Sequence, residues 1–253
     1  MSEFKYKGKI FYQFSNVKSK ETLVLLHGFS LDHRMWKPQI DNFKENYNTL
    51  VYDLRGFGKS TVPDQNYAHH DDLLHLLNFL ELQDVHLIGL SMGGRVAVDF
   101  SLEHPEFVKS LALLDSSLGG YKSTVDFTIQ VNSDMQTSQE NWLSHQVFAY
   151  TNQNQTVSNI LKTIVNDYSG WHWENQNEYE EVVNNAKDRL DEISCPAKIL
   201  VGEHDLDYFK NIGKFMQERI KNSKFQLVPD SGHMSNLENP AFINDMIAQN
   251  LNN

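Results

Sequence analysis

Residues 85–94 of this 253-residue chain read Val-His-Leu-Ile-Gly-Leu-Ser-Met-Gly-Gly. An apolar run of strand character passes without a gap into a helical pattern from Met92 to His104. A chain can change direction in so few residues only if side chains are missing where strand and helix meet. Gly89 and Gly93, two positions before and after Ser91, meet that condition. Ser91 is thereby raised on a sharp, strained turn. Its hydroxyl is exposed, and the free N–H groups and positive dipole end of the following helix point at it.

The rest of the sequence repeats the alternation. Apolar runs at 22–26, 49–54, 111–115, 198–201 and 224–228 join 85–90 as predicted strands, continuous in the manner of buried parallel strands. Residues 4–14 predict an exposed hairpin turning near Lys7-Gly8. The spacing of Leu73, Leu74, Leu77 and Leu80 predicts a helix over 71–82. Strand and helix in alternation give a mostly parallel α/β sheet with helices on both faces and functional groups at the carboxyl ends of its strands.

The alternation stops between about Leu118 and Leu190, a stretch holding three of the four tryptophans. The expected organisation is a core of 1–117 and 191–253 with a mostly helical cap, 118–190, inserted over the strand ends. Its aromatic residues, with Met234, predict an apolar pocket lined by Trp142, Phe148, Tyr150, Trp171 and Met234.

An exposed serine acts as a nucleophile only beside a base, and the base needs an orienting acid. His233, in Pro229-Asp230-Ser231-Gly232-His233-Met234 after the last predicted strand, is the candidate base. Asp205, beyond the strand ending at Val201, is the candidate acid, with Asp207 and Asp115 as rivals. Charge developing on an acyl oxygen needs preorganised donors. The N–H groups of Met92, next to the serine, and of Phe29, after Gly28, are the candidates. His27 reads as a structural residue holding that loop.

Taken together, His27-Gly28-Phe29, Asp53-Leu54-Arg55-Gly56-Phe57-Gly58-Lys59-Ser60, Gly89 to Gly94, Val201 to Asp205, Gly232-His233 and Glu238-Asn239-Pro240 resemble the α/β-hydrolase superfamily over essentially the whole chain. The resemblance implies an eight-stranded sheet with the cap after its sixth strand. It also implies Ser91 as nucleophile, Asp205 as acid and His233 as base. Serine at 91 separates the chain from the haloalkane dehalogenases and epoxide hydrolases, which are similar but carry aspartate there. The Asp-Leu-Arg-Gly turn resembles carboxylesterases and enol-lactonases, whereas Gly94-Arg95 after the elbow resembles the pyruvate-eliminating enzyme of the menaquinone pathway.

Residues 118–188 contain no arginine, and three lysines stand against nine acidic residues. A cap that clamps an anion normally supplies an arginine fork, so a neutral, partly apolar substrate is expected. Arg95, on the helix after Ser91, is open to contact with a substrate carboxylate, but half of a helix-surface ion pair is the expected role. The expected function is cleavage of a small carboxylic ester or lactone through an acyl-enzyme. A slow-turnover ligand receptor is the alternative from another class, motivated by the Asn/Gln runs at 152–155 and 175–177; the lyase chemistry is the third reading.

A net charge of −11 offers no footprint for nucleic acid or an anionic membrane surface. The single cysteine, Cys195, reads as structural, and no disulfide is expected. No metal or cofactor is expected: His69-His70-Asp71-Asp72 reads as a helix start, and the metal and nucleotide motifs are missing. With neither signal-peptide pattern nor apolar span, a cytoplasmic location is expected.

Overall fold

The computed structural model describes residues 2–17, 20–129, 131, 134–175 and 179–251. Gln176 and Asn177 of the second Asn/Gln run lie outside them. The expected hairpin forms between β1 (Ser2–Lys5) and β2 (Lys9–Ser15), turning through Lys7 and Gly8 at φ 47° and 107°, but only β1 is largely exposed: β2 pairs with the main sheet and buries Ile10, Phe11 and Tyr12. The strands β3 (Thr22–Leu26), β4 (Asn48–Tyr52), β5 (Val85–Leu90), β6 (Val108–Leu114), β7 (Ala197–Gly202) and β8 (Ser223–Val228) follow. They make one eight-stranded sheet in the order β1-β2-β4-β3-β5-β6-β7-β8. β1–β2 and β2–β4 pair antiparallel and all other pairs are parallel. Every residue of β3, β4, β5 and β7 is buried, the signature of parallel strands covered on both faces. β8 is an edge strand, so Lys224 and Gln226 reach solvent and the apolar run there is incomplete.

The helices are α1 (Lys37–Phe43), α2 (His69–Phe79), α3 (Met92–Glu103), α4 (Met135–Leu143), α5 (Gln155–Asn166), α6 (Trp171–Asn175), α7 (Asp207–Arg219), α8 (Ser235–Glu238) and α9 (Pro240–Leu251). The connection from β3 to β4 runs one way along the sheet, whereas β5 to β6 and β7 to β8 run the other. Right-handed crossovers therefore put α1 on one face and α3 and α7 on the opposite face. α9 joins α1, and α2 packs on α3. The stripe of α2 is Leu73, Leu76 and Leu77 rather than the spacing read from the sequence. Leu74 is only half-buried, and the helix stops before Leu80 as the chain turns through Glu81 at φ 55°.

Between β6 and β7 the chain leaves the sheet and forms α4, α5 and α6. α4 packs on α5, whose buried residues Val157, Leu161, Ile164 and Val165 form one apolar stripe. Contacts then tie this excursion to the core. Trp142 Nε1 donates to Ser30 Oγ at 2.6 Å, and Tyr67 forms a bridge with Glu180. No helix among the described residues is long and apolar enough to cross a membrane.

Candidate active site

Ser91 ends the β5 turn at φ 55° and ψ −114°, immediately before α3. A non-glycine residue adopts that backbone only where its surroundings enforce it. Here Ser91 N–H donates to the Leu114 carbonyl at 2.9 Å, and Ser117 N–H donates to the Ser91 carbonyl at 3.1 Å. The flanking glycines are required by contact. A Cβ on Gly89 would strike the Gly93 backbone, and one on Gly93 would strike the Leu26 carbonyl.

The loop after β8 brings His233 to this turn. Its Nε2 lies 3.0 Å from Ser91 Oγ and its Nδ1 lies 2.9 Å from Asp205 Oδ2. With the proton on Nδ1 directed at the carboxylate, Nε2 is left to accept the serine proton. The Asp205 side chain is wholly buried, and its other oxygen accepts the Leu206 N–H at 2.7 Å. Glu238 braces the histidine loop, accepting from Gly232 N–H and from Thr151 of the excursion, both at 2.7 Å.

The two rival acids occupy other places. Asp207 is almost fully exposed beside Lys210. Asp115 lies close beneath Asp205 and His233, but its oxygens accept from Gly202 N–H and Ser235 Oγ. Burial, then the charge of Asp205, push the Asp115 carboxyl well above the usual carboxylate range. Asp205, not Asp115, is the carboxyl that meets His233 Nδ1.

Met92 is the first residue of α3, so its N–H has no acceptor within the helix. It lines the cavity together with Ser91, Gly28 and Phe29. His27 behind this loop is fully buried, accepts from Leu54 N–H at Nε2 (2.9 Å) and meets the Gly28 carbonyl at Nδ1 (2.7 Å). Burial lowers its pKa, and the neutral ring fixes the loop. In the Asp53 to Ser60 turn, Asp53 accepts from the His33 and Lys59 backbones and from His33 Nδ1, and so shapes the same region from below.

Ser91 and His233 open on a cavity of about 640 Å³. Trp142, Phe148 and Met234 line it as the sequence suggested, whereas Tyr150 and Trp171 do not. Tyr150 stacks on His204, 4.4 Å between centroids, and packs over Gly232. Trp171 stacks on Tyr179. Both rings are used in holding the excursion together and against the core.

The wall also contains residues that sequence reading missed. Val125, Phe127 and Ile129 come from the segment before α4, His172 and Trp173 from α6, and Phe209 from α7. Alternating apolar residues at 125, 127 and 129 were the available signal. Arg95 is a further correction. It is paired, but on the cavity wall instead of the helix surface, and its partner Glu180 comes from the excursion.

Among the described residues, three groups gather potential metal donors. Asp53 accepts from the His33 N–H and meets His33 Nδ1, and Asp32 accepts from Arg34; Asp115, Asp205 and His233 are committed as above. His70 and Asp71 meet His104 near helix ends, away from the cavity lining.

The model of the alpha/beta hydrolase fold family matches residues 21–240, and the chain belongs to that family. Over 242 residues it is 26% identical to 3-oxoadipate enol-lactonase 1 of Acinetobacter baylyi, spanning 90% of this chain and 87% of the relative. An uncharacterized carboxylesterase of Bacillus subtilis is 24% identical, over 91% of this chain and 79% of that one. Among solved structures, MenH from S. aureus superposes with a TM-score of 0.83 at 25% identity, covering 95% of this chain and 97% of that one. The family and its esterase and enol-lactonase relatives agree with the resemblance read from the motifs.

Proposed function

We propose that the chain is a serine hydrolase that cleaves a small, neutral, partly apolar carboxylic ester or lactone through an acyl-enzyme. The observation that carries this reading is the unbroken hydrogen-bonded series from Asp205 through His233 to Ser91 Oγ at the floor of the cavity. Ser91 attacks the carbonyl carbon as His233 Nε2 takes its proton. The oxyanion is met by the N–H groups of Met92 and Phe29, and Asp205 holds the imidazole and stabilises its protonated form. His233 returns the proton to the leaving oxygen. Water, deprotonated by the same nitrogen, then attacks the acyl-enzyme and frees Ser91. Where the substrate is a lactone, acyl and alcohol portions stay joined and one hydroxy acid leaves.

The enol-lactonase and carboxylesterase relatives support the ester and lactone class. The apolar wall and the neutralised arginine support a neutral substrate. A panel of short-chain nitrophenyl esters and lactones tests the reading, with Ser91→Ala as matched control. Wild type should turn over members of the panel and label with a fluorophosphonate. Ser91→Ala should lose several orders of magnitude in kcat and all labelling. Near-wild-type cleavage by that variant refutes the assignment. A wild type that labels at Ser91 but turns over no ester or lactone refutes the hydrolase reading in favour of a receptor.

A further inference from the structure

Arg95 stands one helical turn beyond Ser91 on α3 and is the single lysine or arginine lining the cavity among the described residues. Left unpaired, it would be the obvious attraction for a substrate carboxylate. Instead its Nη2 contacts Glu180 Oε1, and the Glu180 side chain, also on the cavity wall, is only 5% exposed. Glu180 is not free to swing away. Tyr67 clamps the backbone on either side of it, donating its N–H to the Tyr179 carbonyl at 3.0 Å and accepting Glu181 N–H at 2.8 Å.

The surroundings offer Glu180 no second cation. His69 Nε2 lies 3.9 Å from Glu180 Oε1, but both its ring nitrogens are buried without hydrogen-bond partners, and burial keeps the ring neutral. Asp99, a turn further along α3, adds a carboxyl group beside Arg95. A third acidic residue, Asp126, lies on the cavity lining. The wall around Arg95 therefore has no spare positive charge.

We propose that Glu180 is a built-in counter-ion that occupies Arg95 and makes the cavity discriminate against carboxylate-bearing substrates. The inference deepens the hydrolase reading and rests on it for the identity of the reaction. An incoming carboxylate that captured Arg95 would strand Glu180 as a buried, unpaired charge; one that did not would sit beside Glu180 in a site poor in water. Both arrangements are strongly unfavourable, and discrimination of roughly 100-fold follows. Removing the charge of Glu180 should release Arg95 as a carboxylate ligand.

Two measurements test this. The first compares kcat/KM for 4-nitrophenyl butyrate and for mono-4-nitrophenyl succinate, esters of similar size differing in one carboxylate. Wild type should favour the butyrate by about 100-fold, and Glu180→Gln should move that ratio at least about tenfold toward the succinate. The paired variant Arg95→Leu/Glu180→Leu should show no move toward the succinate.

The second needs no turnover: hexanoate and hexanamide are titrated against the fluorescence of the cavity tryptophans, Trp142 and Trp173. Wild type should prefer the amide, and Glu180→Gln should tighten hexanoate relative to hexanamide at least about tenfold. A wild type that binds or cleaves the carboxylate form as well as the neutral one overturns the proposal, whether or not the variant folds. So does a Glu180→Gln protein with unchanged ratios, or a gain shared by the paired variant. The titration succeeding while neither ester is cleaved would refute the hydrolase reading and leave the role of Glu180 standing.

Discussion

Asp99 gives the sharpest pH test of the packing. It lies on α3 at 4% exposure, with Oδ1 lacking any hydrogen-bond partner. Burial pushes its carboxyl up to about 7; Arg95 and the Val183 backbone oppose the rise, while Glu180 and Glu103 add to it. Below the unfolded pKa of 3.8 both native and unfolded states hold the proton, so Asp99 makes no pH-dependent contribution. Between 3.8 and about 7 the unfolded chain has lost the proton and the native protein keeps it, so stability falls as pH rises. Above about 7 both states are ionised and the loss levels off. At about 1.4 kcal/mol per tenfold in proton affinity, the full loss is about 4 kcal/mol, of which about 2.5 kcal/mol falls between pH 5 and pH 8. Asp99→Asn keeps the shape and cannot ionise. Urea unfolding of both proteins at pH 5, 6, 7 and 8 should therefore show the variant gaining about 2.5 kcal/mol on wild type across the series. Parallel curves would refute the claim that Asp99 is buried without adequate compensation.

Three other expectations concern titratable groups elsewhere in the structure. Asp205→Asn should lower kcat on any ester cleaved by wild type about 10⁴-fold, because the amide no longer holds the Nδ1–H tautomer of His233. Asp115→Asn, replacing a carboxyl that burial holds well above the usual range and that makes no contact with Ser91, should stay within about tenfold; equal losses in the two variants would show that the acid role is shared. Cys195, whose thiol is raised by burial from 9.0 to about 11, should react with a disulfide reagent at pH 8 about 100-fold more slowly in the native protein than in urea. Equal rates would place the thiol in solvent.

The elbow was legible in the sequence because Gly89, Ser91 and Gly93 lie within five residues and the contacts that exclude a Cβ are with backbone, so they hold whatever side chains surround them. His233 and Asp205 were legible because each follows a strand, and parallel strands deliver their carboxyl ends to one edge. The cavity wall was read only in part, because composition does not orient a helical excursion. Trp142 and Trp171 are equally aromatic, yet one faces the cavity and donates to Ser30, while the other stacks on Tyr179. Arg95 with Glu180 was invisible, since a pair 85 residues apart depends on how the excursion returns to the core.

That return path has a regular relation to α3. Residues 91, 95, 99 and 103 are spaced by one helical turn and present Ser, Arg, Asp and Glu on one face. The segment leading back to β7 meets that face in order: Glu180 pairs with Arg95, the Val183 backbone hydrogen-bonds Asp99, and Arg189 donates to Glu103 at 2.7 Å. The exposed outermost pair is screened by solvent and contributes little, whereas the pair nearest Ser91 is buried and faces the cavity. The same helix that carries Ser91 at its start thus receives its electrostatic complement from the excursion. Changes at position 180 can alter which charge the cavity accepts while leaving unchanged the sheet edge that aligns Ser91, Asp205 and His233.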